Sequence, residues 1–168
     1  MKTKYIHYYV EGADEKKVID VLKTDLRAVK PGKVTLLNPV AQEIKDMHLR
    51  PLTAGTMVVL VFDTDAGSVD ILKKNVKKLE ACRSVSEVVL IPQVPNLEGE
   101  LVRSCDIKDI RELLNSQSRT EFKHDIIHVS NLANKLSQHR FSISLFWTSV
   151  PPHPYHEMRN QADKVKLL

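Results

Sequence analysis

At 168 residues and 19.1 kDa the chain has the length of one domain that buries about two thirds of its unfolded surface in a single core, and no second domain is needed. A net charge of +4 and a pI near 9.0, with Lys and Arg spread along the chain, fit a polyanionic partner without requiring one. Cys82 and Cys105 lack C-x-x-C spacing, which argues against a zinc ribbon or disulfide framework; no run approaches the roughly 20 apolar residues of a membrane span and the opening MKTKYIHYYV holds no apolar leader, so a cytoplasmic, membrane-free protein is expected.

In chain order, the apolar run Tyr5 to Val10 predicts a strand over 4–10. A helix is predicted over 13–29, where Val18, Val21, Leu22, Leu26 and Val29 share one stripe; Pro31 and Gly32 close it. A short strand over 33–37 meets Asn38-Pro39, a second helix over 40–49 precedes Pro51, and the most apolar strand follows over 56–62. The next helix, 67–82, places Val69, Leu72, Val76 and Leu79 on one face and Lys73, Lys74, Lys77 and Lys78 on others, and a strand over 87–92 comes after it. Such alternation predicts an α/β fold with a mostly parallel sheet covered by helices on both faces. Beyond Pro95 the character becomes mainly helical, with short helices over 96–105 and 106–114 and a longer one over 120–138. Ser142 to Trp147 reads as a last strand or a buried segment, and 151–168 as a proline-broken loop and charged tail.

Two acidic stations stand at strand ends: Glu11 and Glu15 after the first, Asp63 and Asp65 after the third. In an open α/β sheet ligands bind at the C-terminal edge. Asp63 and Asp65, two apart, point the same way along an extended chain, and Glu15 lies one helical turn beyond Glu11. Carboxylates with no histidine or cysteine among them suit Mg²⁺, or Mn²⁺, better than zinc. The competing interpretation makes Glu11, Asp14, Glu15 and Asp65 helix N-terminal acids or caps. The pairs His124/His128 and His153/His156 lack the context of a zinc site, and none is expected. Lys73 and Lys74 follow the Asp63 strand and are candidates for contact with nucleic acid, against the alternative of a solvated helix face.

EGADE followed by VFDTDAG resembles the Toprim domain, the catalytic module of topoisomerases, bacterial primases and several nucleases, through Glu11-Gly12 and Asp63-x-Asp65 over residues 4–95. The chain is most similar to the Toprim part of overcoming-lysogenization-defect (OLD) nucleases. That resemblance implies a Toprim-like Rossmannoid domain over 1–150, with its core in 4–95 and a helical extension in 96–150. It makes Glu15 the second glutamate of the family pattern, and Asn96-x-Glu98 the station where the family usually has Ser-x-Glu, with Glu100 competing with Glu98. Lys123 is the candidate for the late lysine, and Glu11 for general base or acid. The implied function is a Mg²⁺-dependent nuclease acting on DNA or RNA, as effector of a phage-defence or repair system. Those relatives carry an ATPase domain, whereas this sequence has no Gly-x-x-x-x-Gly-Lys-Ser/Thr loop, so an ATPase partner is expected in trans or not at all. The alternative is a non-catalytic adaptor that binds metal and nucleic acid beside such an ATPase.

Overall fold

The two most apolar runs form the centre of the sheet. In the computed structural model, which describes residues 1–168, β1 (Tyr5–Val10) and β3 (Thr56–Asp63) pair in parallel, flanked by β2 (Lys33–Leu36) and β4 (Val85–Gln93) in the order β2-β1-β3-β4. All three pairings are parallel, as the alternation of elements predicts. Seven consecutive residues of β3 are buried because both faces of the sheet are covered. Met57, Val59 and Val61 point into the larger apolar core; Val58, Leu60 and Phe62 point into the smaller one.

Helix α1 (Ala13–Thr24) follows β1, α2 (Asp46–Leu49) lies between β2 and β3, and α3 (Val69–Glu80) joins β3 to β4. α4 (Leu97–Ser104), α5 (Arg111–Leu114), α6 (Arg119–His128) and α7 (Leu132–Gln138) make the helical extension. The chain runs outward from β1 to β2 on one side and from β3 to β4 on the other. Loops leaving β1 and β3 therefore diverge above the C-terminal edge and open a crevice at the point where strand order reverses.

Several boundaries depart from the local pattern for physical reasons. α1 stops at Thr24 instead of 29: Asp25 and Leu26 both donate to the Val21 carbonyl, and Arg27 turns the chain with φ +50°. Val29 is thereby delivered to the core independently of the helix. Of the helix expected over 40–49 only 46–49 forms, because the buried Asn75 side chain satisfies this segment's backbone, accepting from Ile44 N at 2.7 Å and donating to the Pro39 and Gln42 carbonyls. The 120–138 helix is two helices, broken at Val129, whose ψ of 135° is extended. Ser142–Trp147 is a set of turns that buries Phe146 and Trp147, not a strand.

The 151–168 segment packs onto the body of the fold. Tyr155, Met158, Ala162 and Val165 are buried. Gln161 brackets Leu90 on the free edge of β4, accepting from its N–H through Oε1 and donating N–H to its carbonyl, each at 2.9 Å. Lys30 N to Val165 O and Leu167 N to Ala28 O tie the end of the chain to the residues after α1. An otherwise open sheet edge is covered in this way.

Candidate metal centre

Glu11 leaves the end of β1, Asp63 is the last residue of β3, and Glu15 lies in the first turn of α1. Since β1 and β3 are neighbours, three carboxylates far apart in sequence meet at the crevice, with one oxygen from each within 4.8 Å of the others. They line a cavity of about 440 Å³ together with Asp14, Asp65, Asn96, Glu98 and Lys123. Octahedral Mg²⁺ with bonds of about 2.1 Å places ligand oxygens roughly 3–4 Å apart, so the three need only a small inward movement to share an ion. No histidine or cysteine lines the cavity, so its donors are hard oxygens.

The electrostatics are those of a site short of positive charge. Burial, then the neighbouring Asp14 and Asp63 carboxylates, push Glu15 up to about 10. Burial, then the charge of Glu11, push Asp63 up to about 8, against the opposing hydrogen bond from Gln93. Without a cation these groups are relieved by protons; a divalent ion relieves them better because it interacts with all of the oxygens at once. Glu15 also accepts from Gly12 N at 3.1 Å, so its helix-capping and cluster roles coexist on one side chain. Gly12 allows this approach: a Cβ there would lie 3.0 Å from Asp14 Oδ1 and 3.3 Å from Glu15 Oε2.

The other acids fall on two sides. Asp65 reaches the cavity and accepts from Asn96 Nδ2 at 3.0 Å. Asn96 is also the N-cap of α4, its Oδ1 accepting from Gly99 N at 3.0 Å, so one asparagine both caps α4 and holds Asp65. Ser68, not Asp65, caps α3. Glu98 lines the cavity, with Lys123 Nζ at 3.6 Å. Glu100 does not. It is fully buried on the opposite face of α4, where its two oxygens accept from Val94 N at 2.9 Å and Trp147 N at 3.0 Å and it pairs with Arg103 at 2.8 Å. Burial pushes Glu100 up, while these donors and Arg103 pull it back. The structure therefore separates the two: Glu98 faces the acid cluster and Glu100 braces the backbone.

Lys123 stands on α6 at the cavity wall, and the Glu98 charge pushes its ammonium up, keeping it protonated. Lys73 and Lys74 are on neither side of this crevice; they face Glu157 at 3.8 Å and Glu43 at 3.2 Å on the outer surface of α3. His124 and His128 stack on each other outside the acid cluster.

Three supporting residues escaped the sequence reading. Gln93, fully buried at the end of β4, donates Nε2 to Asp63 Oδ1 at 2.9 Å and accepts from Trp147 Nε1 at 3.0 Å, so the tryptophan fixes the amide that orients the aspartate. Tyr155 donates to the Ala66 carbonyl at 2.8 Å and thereby props the Asp65 loop from the C-terminal segment. Only the polar end of an apolar strand hinted at Gln93; nothing local pointed to Trp147 or Tyr155. Comparison with known family models, curated proteins and solved structures returned no match.

Proposed function

We propose that this protein is a Mg²⁺- or Mn²⁺-dependent nuclease of Toprim-like, OLD-like type that hydrolyses phosphodiester bonds of DNA or RNA, as the effector of a defence or repair system. One observation carries the reading: Glu11, Glu15 and Asp63 converge at the sheet's switch point in one cavity with Asp65, Glu98 and the ammonium of Lys123. Bound by these carboxylates, a divalent cation supplies charge neutralisation at the nonbridging phosphate oxygens and lowers the pKa of a bound water.

The chain's own groups divide the remaining work. Glu15, buried and tied to Gly12 N, and Asp63, tied to Gln93, are fixed anchors. Glu11 is less buried than Glu15 and borders open cavity, placing a carboxylate where it can take the proton of an attacking water. Water oxygen then bonds to phosphorus, the bond from phosphorus to the leaving sugar oxygen breaks, and a proton returns to that oxygen. Lys123 is a protonated cation, 63% exposed at its side chain and 3.6 Å from Glu98, within the cavity wall that faces the developing phosphorane charge. A partner ATPase supplied in trans belongs to the same proposal.

The test is cleavage of plasmid DNA and of RNA with Mg²⁺ or Mn²⁺, alone and with a partner ATPase. Wild-type cleavage that Asp63→Asn abolishes supports the assignment; a wild type that cuts while folded Asp63→Asn cuts as fast at saturating Mg²⁺ sinks it.

A further inference from the structure

Beside the acid cavity lies a second cleft of about 630 Å³, which shares Asn96, Glu98 and Lys123 as a common wall. Its character is opposite. Arg103, Lys108, Arg119 and Lys123 line it, and its two carboxylates are both engaged: Asp109 by Arg111 at 2.8 Å and Glu98 by Lys123 at 3.6 Å. Arg103 is held in place, its guanidinium paired with buried Glu100 at 2.8 Å and donating to the Val94 carbonyl. Lys108 and Arg119 make no ion pair: the Asp109 carboxylate feels the charge of Arg119 but is already bound by Arg111, so two exposed cations stand in a concave surface without a direct carboxylate partner. Their elements come from different parts of the helical extension, Lys108 before α5 and Arg119 at the start of α6, and meet here only through the fold.

We propose that this cleft is a phosphate subsite that grips the nucleic-acid backbone next to the bond positioned over the acid cluster, without reading bases. The proposal rests on the nuclease reading for the identity of the strand, and the cleft supplies what that reading lacks. An acid cavity repels a polyanion until metal is bound, whereas the adjoining cations attract phosphates and retain the strand. Backbone recognition follows from the lining: no aromatic ring reaches the cleft, so there is no platform for base stacking, and its cations meet phosphates as point charges or guanidinium forks. The shared wall gives the strand a path, with Lys123 between the two cavities.

Fluorescence anisotropy of a labelled oligonucleotide in EDTA, where no cleavage intervenes, measures binding across a salt series. Lys108→Ala combined with Arg119→Ala is expected to weaken binding by about 10-fold or more irrespective of sequence and to flatten the salt dependence by roughly one unit of slope per cation removed. A variant losing the same charge outside both cavities, Lys77→Ala with Arg83→Ala, is expected to keep the wild-type slope. Strands with and without a 5′ phosphate separate the sources: equal losses assign internal phosphodiesters, and a loss confined to the phosphorylated strand assigns a terminal phosphate. A double variant that binds as tightly and with the same slope as wild type overturns the subsite, as does a wild type that binds no oligonucleotide. Cleavage measured in parallel keeps the two readings apart. A chain that binds through the cleft but never cuts retains the subsite and loses the nuclease assignment; a chain that cuts equally well with and without the two cations does the reverse.

Discussion

Replacing Asp63 by Asn is expected to make the metal-free protein more stable while removing its response to metal. The amide keeps the shape and still accepts from Gln93 Nε2, so the 2.9 Å bond is retained and only the charge is lost. With carboxylate oxygens up to 4.8 Å apart, each ionised pair repels by about 1 kcal/mol at the dielectric of water and by roughly 3 kcal/mol at an effective dielectric of about 20. Proton uptake caps that cost, leaving about 1–4 kcal/mol to be relieved, or roughly 3–12 °C in Tm for a chain of this length. Asp63 and Glu15 are pushed up, to about 8 and about 10, so their favourable contribution is full below the ordinary carboxylate range and is lost as pH rises through those values. The gap between variant and wild type therefore widens from pH 5 to pH 9. In wild type, Mg²⁺ at about 100 times its Kd adds about 2.7 kcal/mol, whereas the variant gains little. Thermal melts of both proteins in EDTA and in Mg²⁺ across this pH range are the assay. An Asp63→Asn protein that melts at or below wild type in EDTA at pH 8.5, or that gains as much from Mg²⁺, would refute the repulsion argument.

Metal affinity itself should rise with pH, by about tenfold per unit for each proton displaced, through Asp63 up to about 8 and through Glu15 on to about 10, and calorimetry in two buffers of different ionisation enthalpy will count those protons. The two glutamates of α4 should separate cleanly: Glu100→Gln turns an amide donor toward a buried backbone N–H and costs about 2–4 kcal/mol, read as a Tm loss of roughly 5–15 °C, whereas Glu98→Gln costs under about 1 kcal/mol and instead lowers Mg²⁺-dependent cleavage by about 10–100-fold. Equal Tm losses would show that both carboxylates serve packing alone. Trp147, the single tryptophan, is linked through Gln93 to Asp63, so titration with Mg²⁺ should shift its emission in wild type and not in Asp63→Asn; Trp147→Phe, which strands the Gln93 carbonyl, should cost about 1–3 kcal/mol in chemical denaturation. Unchanged stability in that variant would remove Trp147 from the support of the site.

The strands and the two acidic stations were legible because they depend on neighbours in sequence. A run such as Thr56–Asp63 is apolar at successive positions because both sheet faces are covered, and a carboxylate at its end falls at the sheet edge whatever the rest of the chain does. The parallel order followed from alternation of strand and helix. The difference between Glu98 and Glu100 is also a local one: Leu97, Leu101 and Ser104 set the buried stripe of α4, and Glu100 falls on it while Glu98 falls off it.

What only tertiary structure decided was which distant groups satisfy one another. Asn75 replaces a predicted helix by bonding a loop 31–36 residues away, and Gln161 and Val165 draw the expected tail onto β4 and the chain after α1. Asp63 is held through Gln93 by Trp147, across 30 and then 54 residues. Hydrophobic periodicity is a property of adjacent residues and reports which face is buried, so it places strands and strand ends. A buried amide or carboxylate takes whichever partner the packed fold brings within about 3 Å, and that proximity is set by closure of the whole chain rather than by any local pattern.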